Sequence, residues 1–137
     1  VFPESHVGSA KTRHMLVNVT GARPSQYAVC HALAETPPEY YATVRERLAG
    51  RVDAFTDALD AAGAEYTTPE GAFYVLARFD GFPGTLANVK QLIDDTGVAA
   101  MPGAAFGETY DEWIRFSLCT DRVDEAADRL AAYFDGR

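Results

Sequence analysis

Lysine is scarce in this chain of 137 residues. Lys11 and Lys90 are the only lysines, arginine supplies the rest of the 12 basic residues, and 20 acidic residues outnumber them. The formal net charge of -8 repels phosphate backbones and anionic lipid surfaces, so we expect no nucleic-acid partner and no membrane partner.

Cysteine and histidine are few as well. Cys30 and Cys119 lie far apart and belong to no CxxC motif, and the three histidines are scattered. Metal sites built from local sequence need closely spaced ligands, so no metal is expected. Without a partner motif, the two cysteines are expected to be buried free thiols.

Long apolar runs are absent too. The sequence has no stretch near the ~20 apolar residues that a membrane-spanning helix needs, and it has no charged and then apolar leader. These two absences favour a protein of the cytoplasm.

Apolar residues make up 47% of the chain, enough for the core of one ordinary domain. Their spacing predicts helices from Ser25 up to Pro37 and over 41–62, 86–95 and 123–134, and strands over 72–79, 98–101 and 113–118. In the helix over 86–95, the apolar stripe is Leu86, Val89 and Ile93. The order of elements predicts an α+β fold, a small and mainly antiparallel sheet of three to four strands with helices packed on one face.

In the second half of the chain, short motifs that contain glycine and proline say more about the family than the spacing of apolar residues does. Residues 69–74 form a P-x-G-A-F-Y signature, followed by D-T-G-V over 95–98, M-P-G-A-A-F-G over 101–107 and W-I-R-F-S over 113–117. In this order the motifs resemble the pyridoxal-phosphate-dependent aminotransferases of class I and II, of fold type I and aspartate aminotransferase-like. The resemblance runs from Met15 to the end of the chain.

The resemblance implies that the chain is the C-terminal small domain of such an enzyme. The parent enzyme would transfer an amino group between an amino acid and a 2-oxo acid, with pyridoxal phosphate as cofactor. The large domain of the family, which supplies most of the cofactor site, would be missing, so the chain alone is expected to be inactive. Since full members of the family are usually dimers, the complete protein is expected to be a homodimer.

Three segments are expected within the chain. Residues 1–23 mix glycine, proline, serine and threonine, so they are predicted to be irregular, the remnant of or junction to the missing large domain. Residues 24–63 are predicted to form a helical connection. Residues 64–137 are predicted to form the α+β small domain.

Arg115 is the strongest candidate for a site residue. It stands in an otherwise apolar predicted strand, where an unpaired guanidinium is costly, and its planar donors match a carboxylate. The resemblance implies that Arg115, the arginine of an I-R-x-S motif, binds the substrate α-carboxylate. The alternative is an outward-facing arginine or a structural ion pair with Asp111 or Glu112.

Two further residues are weaker candidates. The resemblance places Phe106 at the border of the cofactor cleft as a wall of the site, although simple packing would also account for an aromatic residue there. Lys11 stands in S-A-K-T, which resembles the motif around the lysine that forms the Schiff base. The G-x-R segment that follows in the family is lacking, so an ordinary solvated lysine is favoured over the Schiff-base role, and no catalytic or cofactor-binding residue is securely identified.

Two other functions remain open. One is an aminotransferase-like ligand-binding domain of a transcription regulator, in which ligand occupancy rather than turnover is the output. The other is a self-sufficient small fold that resembles the family only in architecture, because a fold alone does not fix chemistry.

Overall fold

The computed structural model describes residues 3–19 and 21–135, and the chain divides into two compact units between Tyr41 and Ala42. The first unit contains helices α1 (Glu4–Val17) and α2 (Arg23–Glu35) and the first turn of α3 (Pro38–Ala61). No residue of α1 or α2 is buried. Within the described ranges, no helix combines the length and the apolar character that crossing a bilayer requires.

Helix α1 corrects the prediction for the N-terminal segment. Residues 1–23 were expected to be irregular, but Glu4–Val17 is helical, and only Val1, Phe2 and Thr20 of the segment lie outside the described residues. Most of its large apolar residues cluster at the C-terminal end, where Met15, Leu16 and Val17 are consecutive and exposed, so they form no apolar stripe along the helix. The division of the chain into three segments stays a prediction.

The second unit is built on a four-stranded sheet. The strands are β1 (Glu65–Tyr66), β2 (Tyr74–Arg78), β3 (Met101–Pro102) and β4 (Ile114–Ser117). Their order is β1-β2-β4-β3, and each neighbouring pair is antiparallel. Helices α4 (Leu86–Thr96) and α5 (Val123–Phe134) follow β2 and β4. The predicted α+β fold with a mainly antiparallel sheet is confirmed.

One face of the sheet is buried under helices. Successive side chains of a strand point to opposite faces, so the buried face takes every second residue of β2 and β4. These residues join side chains of α3, α4 and α5 in one core cluster, which includes Phe55, Leu59, Val75, Ala77, Val89, Leu92, Ile114, Phe116, Leu130 and Phe134. The helices therefore pack on a single face of the sheet, as predicted.

Helix α4 begins and ends where local chemistry requires. The Thr85 hydroxyl accepts a hydrogen bond from the Asn88 backbone N–H at 3.2 Å, and Gly97, with a φ of 72°, ends the helix in the left-handed conformation. Its buried residues are Val89 and Leu92. The predicted stripe was therefore wrong in two of its members, because Leu86 and Ile93 are 58% and 39% exposed.

Two glycines, Gly84 before α4 and Gly103 just after β3, anchor the loop between β3 and β4. This loop contains the short 3-10 helices Gly103–Phe106 and Glu108–Tyr110. The Gly103 N–H donates to the Trp113 carbonyl at 2.8 Å. A Cβ on Gly84 would lie 1.7 Å from that carbonyl oxygen, and a Cβ on Gly103 would lie 2.2 Å from it. Because only glycine fits this closely against a backbone, both positions fix where the loop leaves the sheet.

Both cysteines are exposed, so the expectation of two buried thiols is wrong. Cys30 belongs to α2, which buries none of its residues. Cys119 follows the buried Leu118 at the end of β4, where the alternation of the strand turns the next side chain outward.

Candidate functional site

Arg115 lies on the open face of the sheet, opposite the core. The register of β4 pairs it with Leu76 of β2 on one side and with Met101 of β3 on the other. Tyr74 and Ser117, a cross-strand pair, lie next to it on the same face. Ile114 and Phe116, the neighbours of Arg115 along β4, are buried in the core. The sheet therefore fixes the position from which the Arg115 side chain projects.

Two aromatic rings contact the guanidinium of Arg115. Its Cζ lies 4.2 Å from the ring centroid of Tyr74 and 4.7 Å from that of Phe106. Both distances are well inside the ~6 Å over which a cation is attracted to the face of an aromatic ring. We call Tyr74 and Phe106 the aromatic pair.

The side chain of Arg115 has no hydrogen bond or ion pair with any residue within 3–19 and 21–135. In particular, it does not pair with Asp111 or Glu112, the structural alternative raised from the sequence. The ion pairs that are described involve Arg51, Arg78, Arg122 and Arg129. A half-buried guanidinium whose N–H donors are left unused by its surroundings is suited to an anionic ligand.

Phe106 reaches Arg115 from the loop between β3 and β4. It is the last residue of the 3-10 helix Gly103–Phe106, and it is 45% exposed. Gly107 follows with a φ of 119°, a backbone conformation that favours glycine, and ends this 3-10 helix. The structure thus brings together Arg115 and Phe106, two of the three residues singled out from the sequence, while their roles stay predictions.

Tyr74 was not identified from the sequence as a site residue. Its signal is the alternation of β2, which places Tyr74 and Leu76 on one face and Val75 on the other. That alternation says nothing about which strand lies beside β2, and it is the pairing with β4 that puts Tyr74 near Arg115.

A cavity of about 200 Å³ lies between the end of β4 and the start of α5, on the core side of the sheet. Its polar wall is an ion-pair network in which Arg122 donates to both oxygens of Glu125 at 2.7 and 2.9 Å, and Arg129 donates to Glu125 at 2.5 Å. The hydrogen bond from Arg122, together with the charges of Arg122 and Arg129, holds the pKa of Glu125 below its ordinary value of 4.5. The network links the first turns of α5 and has a structural role.

We expect Glu125 to make the stability of the chain depend on pH in the acid range. Because the folded pKa is lowered, the contribution of Glu125 is complete above its ordinary pKa of 4.5 and is lost as the pH falls through the lower folded value. In thermal unfolding between about pH 5 and pH 3, the melting temperature of Glu125→Gln should therefore fall less than that of the unaltered chain. Glu70→Gln, at an exposed position, is the control and should behave like the unaltered chain; equal slopes for all three would contradict the assignment.

A second cavity, of about 400 Å³, lies at the edge of the sheet and is lined by Glu65, Arg78, Asp80 and Glu112, among others. Arg78 pairs with Glu65, and its Cζ lies 5.4 Å from the ring centroid of Trp113. In the part of the chain that the structure describes, no group of three or more His, Cys, Asp or Glu residues is placed to hold a metal ion.

Comparison with known families identifies the fold and the family. The family model for class I and II aminotransferases matches residues 7–131. The chain belongs to that family. The relatives named below are aminotransferases, so they do not favour the alternative of a regulatory ligand-binding domain.

Two curated relatives show how much of an aminotransferase this chain represents. LL-diaminopimelate aminotransferase of Natranaerobius thermophilus is 32% identical in an alignment 113 residues long that covers 81% of this chain and 29% of that enzyme. Aspartate/prephenate aminotransferase of Cereibacter sphaeroides is 34% identical in an alignment 124 residues long that covers 82% of this chain and 31% of that enzyme. The aminotransferase chain described here spans less than a third of either relative.

Solved aminotransferase structures share its fold. A Methanococcus jannaschii protein, described as similar in its active site to kynurenine aminotransferases, superposes with a TM-score of 0.79 at 20% identity, covering 98% of this chain and 36% of its own. Aspartate aminotransferase of Thermus thermophilus, solved with maleate, gives a TM-score of 0.76 at 24% identity, covering 95% and 35%. At these identities the likeness establishes the fold.

The described residues of this aminotransferase chain do not by themselves fit pyridoxal phosphate, the cofactor that the resemblance implies. A Schiff-base lysine needs partners for the phosphate and the ring nitrogen of the cofactor around it. Lys11 is exposed on α1 and Lys90 is exposed on α4, and neither side chain has a hydrogen bond or ion pair with the described residues. The Schiff-base role of Lys11 stays a prediction.

Proposed function

We propose that this chain is the C-terminal small domain of a pyridoxal-phosphate-dependent aminotransferase, and that its open sheet face binds the α-carboxylate of the substrate. The observation that carries the proposal is the state of Arg115. It is half-buried and contacted by the aromatic pair, and among the described residues it has no anionic partner. A carboxylate ligand supplies that partner.

Guanidinium and carboxylate match in shape as well as in charge. Two parallel N–H donors of Arg115 can bind the two oxygens of one carboxylate, and each charge-assisted bond contributes about 1.5–3 kcal/mol. An amino acid and the corresponding 2-oxo acid both carry an α-carboxylate. One arginine can therefore hold both partners of a transamination in the same position.

The cofactor and the chemistry belong to the parent protein in this proposal. Pyridoxal phosphate supplies the electron-sink chemistry of amino-group transfer when it is bound, and the contribution of this chain is to bind and orient the substrate. The names of the relatives, LL-diaminopimelate and aspartate/prephenate aminotransferase, support amino acid and 2-oxo acid substrates. A homodimeric parent protein and a location in the cytoplasm complete the proposal.

Binding of maleate to the 137-residue chain tests the proposed role. Maleate is a dicarboxylate and was bound to the Thermus thermophilus enzyme when that enzyme was solved. In an NMR titration we expect saturable shifts around Arg115, and an affinity lower by about 10-fold or more in Arg115→Gln, because about 1.4 kcal/mol corresponds to a factor of ten.

The matched control is Arg78→Gln. Arg78 lies on the same face of the sheet but is already paired with Glu65, so its removal should leave the maleate affinity unchanged. Retained affinity in Arg115→Gln, or an equal loss in Arg78→Gln, would contradict a carboxylate site at Arg115.

A further inference from the structure

We infer that Tyr74 and Phe106 are positioning residues that set the carboxylate affinity of the site by holding the Arg115 guanidinium in place. This inference rests on the proposed function and assigns a role to the aromatic pair within it. The pair is distinguished by its contacts, because both rings lie within 5 Å of the same guanidinium carbon, at 4.2 and 4.7 Å.

Aromatic contacts hold a cation without using its hydrogen-bond donors. A ring attracts the charge through its negative face, so the five N–H groups of an arginine stay available for a ligand. A carboxylate partner has the opposite effect, since it takes up those donors. Arg122 illustrates this, because its Nε and Nη2 are both spent on Glu125. Arg115 is therefore held in a way that preserves its capacity to bind an anion.

The two rings belong to different parts of the sheet structure. In the sheet, β2 and β3 are the two neighbours of β4, and Tyr74 belongs to β2 while Phe106 follows β3 by four residues. Arg115 is therefore contacted both by a residue of β2 and by a residue of the loop that follows β3, and a movement of its guanidinium away from either ring loses a cation–π contact. The two contacts together restrict the long arginine side chain.

Each ring has a rigid support. Tyr74 is paired in register with Ser117, and its ring packs against that of Phe73 with centroids 4.4 Å apart. Phe106 is carried by the loop that Gly103 anchors to the Trp113 carbonyl at 2.8 Å. An arginine held by rigid groups loses less side-chain freedom when it binds, and this preorganisation raises the affinity of the site.

Removing either ring tests the inference. In maleate titrations of the chain, Tyr74→Leu and Phe106→Leu should each weaken binding by about fivefold, the size expected of one cation–π contact at a partly exposed site. Tyr74→Phe keeps the ring and should stay within about twofold of the unaltered chain. Tyr110→Leu is the matched control, because Tyr110 is an aromatic residue of the same loop, is 42% exposed and has no ring contact with Arg115.

A double-mutant cycle separates positioning from direct contact with the ligand. If the aromatic pair acts through Arg115, Tyr74→Leu and Phe106→Leu should cause no further loss in the Arg115→Gln background. An equal loss in both backgrounds would mean that the rings contact the ligand themselves, and it would overturn the inference.

The motion of the Arg115 side chain provides a readout that does not depend on the ligand. NMR relaxation of its Nε–H group should report a restricted guanidinium in the unaltered chain and in Tyr74→Phe, and a mobile one in Tyr74→Leu. Unchanged mobility and affinity in the leucine variants, together with weak binding in Arg115→Gln, would refute the positioning role alone. Unchanged binding in Arg115→Gln would instead refute the proposed function on which that role rests.

Discussion

Gly103→Ala is expected to lower the free energy of unfolding of the second unit by about 3 kcal/mol or more. The added Cβ would lie 1.9 Å from the Tyr110 carbonyl oxygen and 2.2 Å from that of Trp113. Both obstacles are backbone atoms, so no side chain can rotate away to make room. Relief requires the loop to leave the sheet, which breaks the hydrogen bond from the Gly103 N–H to Trp113.

Urea unfolding of the chain measures this effect, and the same loss is expected for Gly84→Ala, whose Cβ would lie 1.7 Å from the Trp113 oxygen. Gly50→Ala is the control. Gly50 lies within α3, a Cβ there would meet nothing within 4 Å, and alanine should stabilise the helix by about 0.5–1 kcal/mol. A Gly103→Ala variant as stable as the unaltered chain would show that the close approach does not exist in solution.

In the complete enzyme that carries this segment, Arg115→Ala is expected to raise the KM for the amino acid and for the 2-oxo acid by about 100-fold each. Both substrates would lose the same two charge-assisted hydrogen bonds, and about 2.7 kcal/mol corresponds to this factor. Arg115→Lys should recover only part of the loss, because an ammonium group cannot bind both carboxylate oxygens in the fork geometry of a guanidinium.

Steady-state kinetics with both substrates check this expectation, and an amine without the α-carboxylate provides the internal control. Its reaction should be affected by Arg115→Ala far less than that of the amino acid, since it has no group for Arg115 to bind. Kinetics of the amino acid that do not change, or an equal loss for the amine, would remove Arg115 from the carboxylate site.

The sequence alone was sufficient to predict the helices and strands that bury a regular apolar stripe. Helix α5 and strand β4 each place their apolar residues at the period of their own geometry, so their burial followed from spacing alone. Arg115 stood out for the same reason, as a charge within an apolar strand, while its role was implied by the resemblance and stays a prediction. The prediction of its strand needed no knowledge of the strands beside it.

Other features depend on contacts that spacing does not encode. Helix α1 has no buried residue and therefore no periodic signal, and β1 has only two residues. In α4, helical spacing allows Val89 to share a face with either Leu92 or Ile93. Packing against the sheet and α5 buries Leu92 and leaves Ile93 exposed. The contact of Tyr74 with Arg115 likewise arises from the order of strands in the sheet.

The same dependence applies to the two anchoring glycines. Gly84 and Gly103 are 19 positions apart in the sequence, yet both approach one carbonyl oxygen of Trp113. Each looks like an ordinary loop glycine when it is read locally. Only the packed structure shows that neither position has room for a side chain.

If the open face binds the substrate as proposed, the alternation along each strand separates ligand binding from stability by the parity of residue numbers. In β4 the odd positions Arg115 and Ser117 serve the open face, and the even positions Ile114 and Phe116 fill the core. Substitutions at the odd positions of β4 can therefore change which ligand is bound without changing the core. Loss or gain of a single residue within β4 exchanges the faces, so this segment can evolve by substitution but not by insertion or deletion.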